Sequence, residues 1–183
     1  MPRAPTKSIA ALATCVALGA WTAHGPAAPT RASLYHALAG EWNGSLEYKD
    51  YSNPDRRVTL PTKLRVQFST DSAALLMHYT YDDGPGKIVE SDDRFSVDAK
   101  LTRVTWGSVR DTNPQQFVAR ASMVAQPAGT EQFIFEGEGR DDNKPATIRE
   151  TFTISAKSLR ILKETRFAGT DFAFRHTYVL ARR

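Results

Sequence analysis

Leu38-Ala39-Gly40-Glu41-Trp42-Asn43-Gly44-Ser45-Leu46-Glu47-Tyr48-Lys49-Asp50-Tyr51 alternates with a period of two. One parity holds Trp42, Gly44, Leu46 and Tyr48, and the other holds Glu41, Asn43, Ser45, Glu47 and Lys49. In a strand, successive side chains point to opposite faces, so this is a β-strand with one apolar and one wet face. Upstream, Thr30 is placed to cap a short helix carrying Leu34, Tyr35 and Leu38 on one side, with Gly40 just past its end.

Downstream the alternation recurs. Strands are expected at residues 42–51, 60–68, 73–82, 100–109, 116–125, 131–139, 146–155, 159–167 and 171–180, with a weak, bent one at 87–91 and 94–97. Turn chemistry separates them: Asn53-Pro54-Asp55, Asp83-Gly84-Pro85-Gly86, Thr112-Asn113-Pro114 and Pro127-Ala128-Gly129, with a polar loop over 140–145. A sheet this large with one wet face hides the other by closing on itself. The expected fold is all-β: a single antiparallel up-and-down barrel of about ten strands, with the helix as a lid and Trp42 closing that end.

The chain has 183 residues, enough for one domain with its own core. Residues 1–28 have the form of an export signal. Arg3 and Lys7 make a basic start, residues 9–20 form a short apolar run, and small residues follow. The barrel domain is then 29–183, and the destination is the periplasm or the extracellular space. Leu12-Ala13-Thr14-Cys15 has a lipoprotein-box form, though Thr precedes the Cys and the apolar run continues past it. Cleavage beyond Cys15 leaves no cysteine, so a core and not disulfides must hold the domain. The 24 Lys and Arg stand against 20 Asp and Glu. Without Arg3 and Lys7 the balance is 22 to 20, with both signs interleaved, which is no nucleic-acid footprint.

A helix, a Gly40-x-Trp42 entering the first strand and about ten meandering strands together resemble the calycin superfamily: lipocalins, fatty-acid-binding proteins and nitrobindin-like barrels. The resemblance spans residues 34–183. It implies a lumen for a small ligand and, in lipocalins, a C-terminal Arg stacked over the Trp, for which Arg175 and Arg182 are the candidates. Nitrobindin-like haem proteins carry Gly-x-Trp-x-Gly-x-Gly, and this chain has Gly40, Trp42 and Gly44 but Leu46 in the last place. They also carry an axial His three residues before a Tyr; His176 precedes Tyr178 by two.

Polar residues at inward parity are the informative ones. Glu150 lies between Ile148 and Phe152, and His176 between Phe174 and Tyr178. With Tyr48, Tyr79, Tyr81 and Tyr178 they form the expected ligand-binding set, in a cup open away from Trp42. His78 falls on the wet parity, His36 on the lid helix, and residues 90–94 read as a solvated bend. No metal cluster, catalytic triad or nucleotide-binding motif is visible.

The leading reading is an exported, lipocalin-like binding protein for a small hydrophobic or amphipathic ligand, with no cofactor, no nucleic-acid partner and no membrane-spanning segment. The alternatives are a small calycin-type enzyme using Glu150 and His176 as acid and base, or a haem barrel with His176 as axial ligand. N-terminal sequencing of the exported protein should find a start between Trp21 and Pro29; an intact Met1 in the envelope fraction would refute export by cleavage.

Overall fold

The computed structural model describes residues 30–50, 52–53, 55–120 and 126–183. The expected export signal with Cys15, Tyr51 and the second half of the expected sixth strand, residues 121–125, lie outside the described residues. The elements run α1 (Arg31–Leu38), β1 (Gly40–Lys49), β2 (Arg57–Phe68), β3 (Leu75–Asp82), β4 (Ile88–Val97), β5 (Arg103–Ser108), β6 (Gln115–Arg120), β7 (Thr130–Asp141), β8 (Lys144–Ser155), β9 (Ser158–Arg166) and β10 (Ala173–Arg182). Each strand pairs with its chain neighbours, and β1 pairs with β10, closing an antiparallel barrel of ten strands. Closure removes both sheet edges.

The lid is built from its cap outward. The Thr30 hydroxyl accepts from the Ser33 N–H at 3.1 Å, and the Ser33 hydroxyl accepts from the Thr30 N–H at 2.9 Å. These bonds satisfy donors that the first turn would otherwise leave open. Leu34, Tyr35 and Leu38 then face the barrel and are buried. The Tyr35 hydroxyl donates to the Ala73 carbonyl at 3.1 Å and accepts from the Val97 N–H at 2.9 Å, fastening the helix across the rim. His36 lies 5.2 Å from the Phe68 ring on the outside of this contact.

Trp42 has no exposed surface, and its indole N–H donates to the Leu38 carbonyl at 2.9 Å. The Arg182 guanidinium lies 4.0 Å from the centre of its ring and donates to the carbonyls of Ala37 and Ala39 at 2.6 and 2.7 Å. Arg182, not Arg175, is therefore the stacking residue. Gly40 makes this possible: a Cβ there would sit 2.7 Å from the Arg182 guanidinium, and its φ of +129° is one that only glycine adopts easily. At Gly44 a Cβ would fall 2.0 Å from the Val179 carbonyl oxygen, so glycine lets β1 and β10 come together.

The inward parity largely follows the sequence. Leu64, Val66, Phe135 and Phe152 are buried, while Lys63 and Arg65 are exposed. Three expectations are corrected. Phe174 and Phe172 lie outside the barrel, because a bulge between Phe174 and His176 shifts the parity of β10. They are covered by cations, Arg57 at 3.8 Å from the Phe174 ring and Arg149 at 3.7 Å from the Phe172 ring. Arg149 is accordingly only half exposed. The supposed bend at 90–94 is continuous strand within β4. The supposed loop at 140–145 is a two-residue turn, Asp142-Asn143, both with positive φ, which is the geometry that matches strand twist in tight hairpins.

Among the described residues no helix is long and apolar enough to cross a membrane. Phe152→Ala should cost roughly 3–5 kcal/mol in urea unfolding, as expected for emptying a packed core site. Phe174→Ala, on the outer face, should cost less than about 1 kcal/mol. Equal losses at both positions would overturn the bulge-shifted parity.

Candidate functional site

Beyond the lid half, the lumen changes character. His176 is paired in register with Tyr48, six residues along β1 from Trp42, or about 20 Å at a strand's rise per residue. On the other side His176 pairs with Lys163 of β9, and Lys163 pairs with Glu150 of β8. Residues paired across neighbouring strands share a face, so His176, Lys163 and Glu150 form one inward row over three adjacent strands. With Asp93, Trp106, Gly107, Gln115, Phe117 and Tyr178 they line a cavity of about 170 Å³.

Glu150 is 4% exposed. Its Oε2 is buried with no hydrogen-bond partner among the described residues, and its Oε1 lies 4.0 Å from the Lys163 ammonium, beyond hydrogen-bond reach. Burial pushes its pKa up to about 8; Lys163 pulls the other way but does not offset it, and Asp93 adds to the rise. His176 is held neutral, its value brought down to about 3 first by burial and then by Lys163 and Arg175. The Asp93 carboxylate accepts from the Trp106 indole N–H at 3.1 Å, yet burial still raises its pKa above the usual carboxylate range. Lys163 points inward but keeps 23% of its side-chain surface accessible, so the cavity communicates with solvent. At neutral pH the site thus holds a protonated carboxyl, a neutral imidazole and an ammonium against aromatic walls.

Of the six residues expected from parity, Glu150, His176 and Tyr178 line the cavity. Tyr81 bonds the Tyr178 hydroxyl at 2.9 Å from behind, and Tyr79 stacks on Tyr81 with ring centres 5.9 Å apart. Tyr79 is 1% exposed, and burial raises its hydroxyl well above the ordinary value. Tyr48 is half-buried on the His176 side and does not border the cavity. Sequence reasoning missed Lys163, Asp93, Trp106 and Gln115 as cavity residues. The signal was present for Lys163: Leu159, Ile161 and Thr165 share its parity and are buried. His78 is on the outer face, 2.8 Å from Asp92.

No protein-family model and no curated protein matches the chain. Among solved structures it is similar to Rv2717c from M. tuberculosis, with a TM-score of 0.55 at 13% identity, over 80% of this chain and 93% of that one. A protein of unknown function from the DUF3598 family of Nostoc punctiforme aligns with a TM-score of 0.41 at 10% identity, over 81% of this chain and 49% of that one. The likeness to Rv2717c extends to the fold alone and is compatible with a calycin-like barrel.

The two shifted groups give opposite stability slopes. An acid whose pKa is raised on folding costs stability progressively from its unfolded value, 4.5, to its folded value, about 8. A histidine whose pKa is lowered from 6.5 to about 3 contributes stability above 6.5 that is lost as pH falls through that window. Between pH 6.5 and 8 only Glu150 of these two acts, so stability should fall there by roughly 1–2 kcal/mol, at about 1.4 kcal/mol per proton per pH unit. Urea unfolding across that range should show this decline, and Glu150→Gln should flatten it. A decline that persists in Glu150→Gln would remove Glu150 as its source.

Proposed function

We propose that the protein is an exported binding barrel that holds one small amphipathic molecule at the end of the lumen away from α1. The carrying observation is the orphaned Glu150 Oε2 beside a cavity with ring-bearing walls. An unpartnered buried polar atom costs about 1–3 kcal/mol, and a ligand that hydrogen-bonds it recovers that cost. Export is supported by the basic and apolar start of the chain.

The size argues for a small occupant. A cavity of about 150 Å³ is known to hold a single benzene ring, whereas drug-sized ligands occupy roughly 300–1,000 Å³. The space here is about 170 Å³, and Tyr79, Tyr81, Phe95 and Phe152 pack the remaining lumen against one another. These dimensions favour a one-ring molecule over a porphyrin.

A second reading has its own observation. Glu150 held protonated near neutrality and a neutral His176 border the same cavity, with Lys163 between them in the row, and so offer a bound molecule a proton donor and a proton acceptor, as acid–base catalysis requires. A bell-shaped pH dependence of turnover would separate it from binding alone.

Native mass spectrometry of protein purified from its own envelope should show a co-purifying small molecule. Glu150→Gln and His176→Gln should each reduce its retention by tenfold or so while leaving the fold intact, as near-isosteric changes do. Retention unchanged in both variants, or no bound mass in the wild type, would sink the reading.

A further inference from the structure

The hydrogen-bonding groups around the cavity are unequal in kind. The Lys163 ammonium hydrogen-bonds no described protein group; its nearest carboxylate oxygen, on Glu150, is 4.0 Å away. The Gln115 side-chain nitrogen is buried with no partner among the described residues. Both border the same cavity, which the rings of Trp106, Phe117 and Tyr178 line together with Glu150, His176, Asp93 and Gly107. Unused donors therefore meet an aromatic slot about one ring in volume.

From this geometry we infer that the ligand is a one-ring aromatic acid bound as its anion, its charged oxygens facing Lys163 and Gln115 and its ring against Trp106, Phe117 and Tyr178. The inference rests on the binding reading above and narrows it. The neighbours of Lys163 in its row do not cancel its charge, because Glu150 stays protonated at neutral pH and His176 is neutral. A protonated Glu150 adds a third donor. In a site of low effective dielectric, an ammonium facing a carboxylate is worth more than on the surface. Asp93 is the opposing charge. Its carboxylate is engaged by Trp106 at 3.1 Å on β5, so the anion belongs against Lys163 and Gln115 and not against Asp93 on β4. The other charged group facing the row is Arg175, a β10 residue ion-paired with Asp141 at 3.0 Å, which adds to the positive potential at His176.

Calorimetric titration of the purified protein with benzoate, benzamide, benzylammonium and 2-naphthoate tests this. Benzoate should bind at least tenfold tighter than the other three. Lys163→Met should abolish the preference for benzoate over benzamide. Asp93→Asn, which keeps an acceptor for the Trp106 N–H, should tighten benzoate several-fold, a gain that mere structural damage would not produce. Benzamide equal to benzoate, or benzylammonium preferred, would overturn the inference and leave the wider binding reading standing. If no probe binds, the inference fails as well, and the native mass spectrum decides separately whether the lumen holds anything.

Discussion

Everything in this barrel depends on how its last strand is fastened to its first. A ten-strand meander has two free edges, and here they meet along seven residue pairs from Trp42–Arg182 to Tyr48–His176. The side-chain period of a strand is two, so a slip of one residue would turn His176, Tyr178 and Leu180 out of the lumen. Arg182 opposes such a slip. It covers the Trp42 ring and donates to carbonyls of α1, of the residue after it and of the β8–β9 turn. A cation over an aromatic ring contributes about 0.5–2 kcal/mol, and its charged hydrogen bonds add direction to that energy. Gly40 and Gly44 belong to the same device, since a side chain at either would occupy space used by β10.

The second constraint is the bulge in β10. On one side of it Phe172 and Phe174 face outward under arginines; on the other His176, Tyr178 and Leu180 face in. Arg175, between them, is 6% exposed and bonds Asp141 at 3.0 Å and the Lys49 carbonyl. Asp141 also accepts from the Thr165 hydroxyl at 3.1 Å, so the buried guanidinium is anchored to β7, β9 and β1 at once. Bulges commonly re-aim a side chain next to a functional site. This one brings His176 into line with Lys163 and so creates the polar row.

These two constraints explain what was legible in the sequence. Alternation is a local property, and the strand number and the inward placement of Glu150, His176 and Tyr178 follow from it, because each can be counted along its own strand; the lid helix was legible from its Thr30 cap and the spacing of Leu34, Tyr35 and Leu38. The inward placement of Phe174 could not survive the same counting, since a bulge is set by pairing with β9 and leaves no mark in the alternation of β10 itself. Asp93 was misread for a related reason. A run of Glu90, Asp92, Asp93 and Arg94 has the composition of a solvated bend, and only the neighbouring strands show that every second residue points in. The Asp142-Asn143 turn was hidden because Asp and Asn, like Gly, tolerate positive φ, so a two-residue hairpin passed for a loop. Trp106 and Gln115 sit on short strands, where parity has few positions to establish itself.

The lumen is divided along its length, and the division carries the functional argument. Near α1 its contents are Trp42, Leu64, Leu75 and Phe95, all at 1% exposure or less, and their rings and branches fill the space. Farther along, the inward positions of three adjacent strands are Glu150, Lys163 and His176. A core selected for stability alone would place aliphatic side chains there, because each ionisable group is costly to desolvate. The protein mitigates that cost by adjusting protonation, so that two of the three are neutral near pH 7. Lys163, the third member of the row, keeps more accessible surface than Glu150, 23% against 5%. The packed lid half supplies the stability that lets the other half remain polar.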